Sequence, residues 1–142
     1  MLAMHPEYQQ KVHEELCSLY PHKTFDYHYD DMAKLPYLNM FIKETMRLIP
    51  PVSVIGRDVQ KDFRLNDNTI LPAGVQIGIP IALLHRSKEV WGPQAHIFNP
   101  ENFSVSNLNK IHPFAFIPMS KGGRNCIGKF LQQLYFIYIH IS

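Results

Sequence analysis

Gly122-Gly123-Arg124-Asn125-Cys126-Ile127-Gly128 is the stretch on which the reading of this chain turns. One cysteine stands two residues behind a cation and among glycines, with apolar chain beyond it. Glycine removes side chains where another body must come close to the backbone. The arginine can offset negative charge, on a thiolate or on carboxylates of a bound partner. The local pattern thus suits a thiolate presented to something large, flat and electron-poor. It equally suits a buried, inert cysteine in a Gly-rich turn.

Composition narrows the surroundings of that loop. With 142 residues, 46% of them apolar, the chain is sized for one modest core. A net charge of +2 with mixed signs and no basic stripe gives no nucleic-acid footprint. Cys17 and Cys126 lack CxxC spacing, which fits a reducing compartment and offers neither a disulfide nor a zinc framework. The eight histidines show no HxxxH pairing. No apolar run reaches the roughly 18 residues that a membrane helix needs, and the first residues lack a signal-peptide layout.

Periodicity predicts a helix from Pro6 that ends at Tyr20-Pro21-His22, with Val12, Leu16 and Leu19 on its apolar face and Glu7, Lys11, Glu14 and Glu15 on its polar side. Asp30 or Asp31 is placed to cap a short turn over Met32 to Leu35. A second helix is expected from Pro36 to Leu48, with Leu38, Phe41, Ile42, Thr45 and Ile49 as its buried stripe, stopped by Pro50-Pro51. Strands follow at Val52–Ile55, Phe63–Leu65 and Gly74–Ile79, separated by turn chemistry at Asp67-Asn68 and by Pro72-Ala73-Gly74, proline at the turn's second position. A short helix is expected over Ala82–Val90. From Trp91 to Asn125 the chain reads as one long loop, a feature that often carries function.

Glu44 and Arg47 lie three apart on the second helix and share a face. Exposed, such a pair contributes only about 0.2–0.5 kcal/mol. Turned toward the long loop, it can hold that loop through charge-assisted hydrogen bonds.

Three motifs in order resemble one family. Met119 to Gly128 resembles the heme-binding loop of the cytochrome P-450 monooxygenases, Phe-x-x-Gly-x-Arg-x-Cys-x-Gly, with Met119 in place of phenylalanine. Glu44-Thr45-Met46-Arg47 is similar to the Glu-x-x-Arg of that family's K helix. Phe98-Asn99-Pro100-Glu101-Asn102-Phe103 resembles its Phe-x-Pro-Glu-Arg-Phe segment, with Asn102 for arginine, a variation familiar in the microsomal ω-hydroxylase-like branch. Residues 1–15 resemble the J helix, and Leu83-Leu84-His85-Arg86 leading to Val90-Trp91 the short helix before the meander.

The resemblance covers about residues 1–129. It implies a mainly α fold with a small β-sheet, the C-terminal portion of the cytochrome P-450 fold, so that 1–142 is a single incomplete domain. It also implies heme b (iron protoporphyrin IX), with Cys126 as proximal thiolate on the iron. Arg124 and Arg57 would face the propionates, and Gly128 and Met119 would lie around the sulfur. Glu44, Arg47 and Asn102 would form a structural network. The implied reaction inserts one oxygen atom into a lipophilic substrate, with electrons from an NADPH-dependent flavoprotein reductase at the endoplasmic reticulum membrane. The chain contains no Ala/Gly-Gly-x-Asp/Glu-Thr-Thr segment, so the oxygen-activating helix and the N-terminal anchor are expected outside it. This leaves a second expectation, a non-catalytic truncated remnant that does not retain heme.

The tail departs from the pattern. Gly128-Lys129-Phe130-Leu131 is one residue short of the family's spacing, and Ile137, Ile139 and Ile141 alternate as in a strand. Gly-Lys-Phe can be encoded with a splice-donor consensus, which predicts read-through past an exon end. A spliced transcript that ends its reading of this frame near Lys129 is the expected result; one that still encodes residues 130–142 would show the tail to be genuine.

Overall fold

Proline opens both long helices, because its missing N–H costs nothing in a first turn and its fixed φ already suits the helix. Helix α1 spans Pro6–Leu19 and α2 spans Pro36–Leu48, in a computed structural model that describes residues 1–21 and 33–128. These limits agree with the periodicity. Val12 and Leu16 of α1 meet Leu38, Phe41, Ile42 and Met46 of α2 in one apolar cluster with Leu35, Leu48 and Phe98. Asp30 and Asp31, the expected cap, and the tail 130–142 lie outside the described residues.

Glu15 does more than colour a polar face. Its two carboxylate oxygens accept the backbone N–H of Tyr37 at 2.7 Å and of Leu38 at 2.8 Å. Two donors that lack intrahelical partners are thereby satisfied, at the positive end of the α2 dipole. At the other end Arg86 donates to the carbonyl of Leu48. Ile49 falls outside the buried stripe assigned to it: the helix has ended, and the side chain is 60% exposed. Thr45 is half-buried, its hydroxyl donating to the Phe41 carbonyl at 3.0 Å.

The β region forms two antiparallel ribbons where one small sheet was expected. Strand β1 (Ile55–Asp58) pairs with β4 (Gln76–Ile79), and β2 (Phe63–Arg64) with β3 (Ile70–Leu71). In the first ribbon Arg57 stands opposite Ile77. The predicted strand Val52–Ile55 is therefore displaced: only Ile55 enters the ladder, and Val52 and Val54 precede it, exposed. Arg57 lies inside a strand, not beyond one. The β3 strand escaped notice because two residues carry no measurable alternation.

At the first turn Asn68 takes a positive φ of 66°, and Asp67 accepts the Thr69 N–H at 2.9 Å. At the second, Val75 donates to the Pro72 carbonyl, so proline is the first residue of the turn and not the second. Gly74, at φ 86°, occupies the third position, where a type II turn demands the left-handed region.

Two one-turn helices, α3 (Ile81–Leu84) and α4 (Lys88–Trp91), replace the single helix expected over Ala82–Val90. The long stretch after Trp91 is not structureless. It contains a 3-10 turn at Pro100–Phe103 and a one-turn helix, α5, at Val105–Leu108. Aromatic rings organise it: Trp91 lies 5.4 Å from Phe103, and Phe103 lies 4.6 Å from Phe116 between ring centroids. Among the described residues no helix is long and apolar enough to cross a membrane.

Leu38, fully buried between the helices, gives the packing test. Leu38→Ala is expected to cost about 3 kcal/mol, and Ile49→Ala less than about 0.5 kcal/mol. Urea midpoints at unchanged slope measure both.

Candidate functional site

Two ionised side chains sit at the centre of the molecule with no exposed surface, Glu44 and Arg47. Their spacing on α2 sets one beside the other, and the carboxylate grips the guanidinium with both oxygens. Arg47 Nε donates to Glu44 Oε2 at 2.7 Å, and Nη2 donates to Oε1 at 2.7 Å. The three remaining N–H groups reach the end of α3 and the long loop: Nη1 donates to the carbonyls of His85 at 2.8 Å and Ala95 at 2.5 Å, and Nη2 to that of Ile97 at 3.1 Å. All five donors are engaged. The cation also lies 5.0 Å from the centre of the Trp91 ring.

Glu44 is used as fully. Its Oε1 also accepts the backbone N–H of Asn99 at 2.8 Å and the side-chain amide of Asn102 at 3.1 Å. Asn102 donates without charge, so the only cation on this carboxylate in the described residues is Arg47. Removing two ions from water costs several kcal/mol each. Complete hydrogen bonding offsets that cost here, and it fastens residues 95–102 to α2.

His85 joins this network to the cysteine side. Its carbonyl accepts from Arg47, and its buried Nε2 accepts the backbone N–H of Ile117 at 2.9 Å. Burial away from water pushes the imidazole pKa down from 6.5 to about 4, and the Arg47 and Arg86 cations push the same way. The backbone around Arg47 and Met46 opposes this, less strongly than burial acts but more strongly than the two cations. The ring is neutral at pH 7, with Nε2 as acceptor. Sequence reasoning matched His85 within a motif but assigned it no task; the available signal was a histidine on an otherwise apolar turn.

The cysteine loop follows from Ile117. Ser120 donates its N–H to the Ile117 carbonyl at 3.0 Å, and Cys126 donates its N–H to the Met119 carbonyl at 2.9 Å. Ser120 and Gly122 both take positive φ, 62° and 83°. Glycine is required at 122 by backbone conformation alone, since a Cβ there would meet no atom within 4 Å. The same emptiness surrounds Gly123. Cys126 is a free, exposed thiol, which removes the reading of a buried inert cysteine. A Cβ on Gly128 would come 3.8 Å from its sulfur.

The remaining candidates divide. Arg57 is brought to the loop, Nη2 donating to Ser120 Oγ at 3.1 Å. Met119 is half-buried and packs on the interhelical cluster, while its carbonyl holds the Cys126 amide. Arg124 is exposed on the loop. Two groups emerge, Glu44/Arg47/Asn102 inside and Met119/Cys126/Gly128 on the loop with Arg57 reaching it from β1, and His85 and Ile117 stand between them.

Arg47→Lys keeps the charge and loses the fork, and is expected to destabilise the chain by about 3–5 kcal/mol, measured by chemical denaturation. Acid should act through His85. The unfolded imidazole takes a proton near 6.5 and the folded one only near 4, so the unfolded state binds more protons between those values. Its stabilisation, at most roughly 3 kcal/mol, is complete above pH 6.5 and is lost as the pH falls toward 4. Melting temperatures across that window measure it, and His85→Gln should flatten the profile.

The sequence profile described as Cytochrome P-450 matches residues 1–135. A Drosophila melanogaster protein named "Probable cytochrome P-450 313a4" is 46% identical over 129 residues, which are 90% of this chain and 26% of that protein. Another from the same organism, "Probable cytochrome P-450 313a1", is 48% identical over the same shares. Cytochrome P-450 4B1 of Homo sapiens is 42% identical over 128 residues, 90% of this chain and 25% of that protein. The chain thus spans about a quarter of the length of the curated relatives it matches. A profile that runs through both long helices, the buried ion pair and the exposed cysteine loop settles the kinship: this chain belongs to the cytochrome P-450 family.

Proposed function

We propose that the chain is the heme-ligating C-terminal part of a monooxygenase that inserts one oxygen atom from O2 into an apolar small molecule, with the Cys126 thiolate on the iron. One observation carries the reading. Cys126 is an exposed, unpaired thiol on a loop that is itself held at both ends, by its own amide and by Arg57.

The residues fit a heme. Iron in a macrocycle needs one strong donor from this side of the protein, and among the described residues no group of three or more His, Cys, Asp or Glu competes as a metal cage. The open space at Gly122 and Gly123 leaves room for a broad planar body. Val52, Val54, Phe114 and Ile127 are exposed apolar side chains, 100% so at Ile127. They suit the face and edges of a porphyrin. When bound, heme supplies oxygen activation, which thiolate donation favours.

The rest is the work of the chain's own groups. The Cys126 amide, fixed on the Met119 carbonyl, sets the direction of the sulfur. Arg57 and Arg124 provide cations for propionates. Met119, in place of an aromatic ring, packs its side chain on the interhelical cluster and serves the cysteine through its carbonyl. Gly128 keeps its approach to the sulfur free of a side chain.

The donor of electrons would be an NADPH-dependent flavoprotein reductase, the substrate lipophilic, the cofactor heme b and the location the endoplasmic reticulum membrane. These belong to the whole protein. The chain alone is expected to show no substrate oxidation with reductase.

Purified chain with hemin, reduced under carbon monoxide, tests the reading. A band in the thiolate-ligated region is expected, and Cys126→Ala should abolish it. Arg57→Gln should weaken hemin binding by about tenfold, the worth of a charge-assisted contact. Failure of the native chain to take up hemin would favour the alternative, a non-catalytic remnant.

A further inference from the structure

His85 carries a task that neither the thiolate chemistry nor the ion pair explains. A polar side chain with no exposed surface is costly unless it makes directed bonds. Here one imidazole nitrogen does so across 32 positions of sequence, accepting the Ile117 N–H at 2.9 Å. Its ring also lies against Phe116, 5.1 Å between centroids. The residue is held from behind, because its own carbonyl takes one of the five Arg47 donors.

What Ile117 does next gives this bond its reach. The Ile117 carbonyl accepts the Ser120 amide, Ser120 Oγ accepts from Arg57, and the Met119 carbonyl accepts the Cys126 amide. A displaced Ile117 therefore displaces the acceptors that orient Arg57 and the cysteine. No other side chain in the described residues donates to or accepts from the Ile117 backbone. Loss of the imidazole acceptor would also leave a buried N–H without a partner, which costs more than the bond itself contributes.

We propose that His85 is a positioning residue for the cysteine loop: its imidazole fixes the Ile117 amide, and through Ile117 sets the turn that orients both Arg57 and Cys126. Its effect on heme rests on the proposed function; its effect on the loop does not.

Two variants separate the acceptor from bulk. His85→Gln can place an amide oxygen near the Nε2 position, whereas His85→Leu fills space without an acceptor. In the full chain, Leu is expected to raise amide exchange across residues 114–126 by about tenfold or more, with the amides of α2 within about twofold of native. It should also raise the rate of Cys126 alkylation, and Gln should restore both. Uniform loss of protection in α2 and the loop, or failure of Gln to rescue, would overturn the positioning role.

Nitrogen NMR of the native imidazole tests the same claim without any variant. A bare Nε2 with the proton on Nδ1 at pH 7 supports it; a protonated Nε2 overturns it. With hemin bound, Leu but not Gln should move the reduced carbon monoxide band away from the thiolate position. A native chain that refuses hemin overturns the heme reading, and the exchange and tautomer results then decide the case of His85.

Discussion

A guanidinium with five satisfied donors, buried against one carboxylate, is the constraint on which the rest of this structure depends. Arg47 and Glu44 belong to the best-ordered kind of element, a helix with a proline start and a carboxylate on its first amides. What they hold is the opposite kind. Residues 85–102 contain only single turns, and their carbonyls at 85, 95 and 97 would be unsatisfied without Arg47. A buried pair seldom adds net stability over apolar packing. Its use here is geometric, because a planar fork accepts only one arrangement of three carbonyls and a carboxylate.

That arrangement passes outward in steps of decreasing burial. Arg47 is wholly enclosed, His85 likewise, Ile117 nearly so, Ser120 half-buried and Cys126 exposed. Rigidity at the inner end and access at the outer end are both needed to offer a thiol to a bulky partner. An exposed thiol alone would be merely reactive. Asn102 shows the limit of tolerance in the network: it keeps a hydrogen bond to Glu44 at 3.1 Å and gives up the charge. The carboxylate is then balanced chiefly by Arg47, which concentrates the electrostatic role in one side chain.

The helices were legible because period and punctuation agree: proline opens each and an apolar stripe runs through each. The cysteine loop was legible as a pattern, since glycine at 122 answers to a positive φ. Cross-chain partners were not. Nothing in the surroundings of Glu15 distinguishes it from Glu14, yet only Glu15 meets the amides of α2. The strands shifted by up to three residues because short apolar runs fix neither register nor start. The loop after Trp91 proved ordered because spaced aromatics at 91, 103 and 116 pack together, a spacing with no local period. His85 was hidden for the same reason, its partner being 32 residues away.

On the proposed reading, the buried ion pair is what allows Cys126 to ligate iron at all. The iron–sulfur stretch of the hemin-loaded ferric chain, by resonance Raman, reports that bond directly. It should be present in the native chain and lost in Arg47→Lys at matched hemin occupancy. A full-intensity stretch in Arg47→Lys would show that the cysteine loop organises itself without the ion pair.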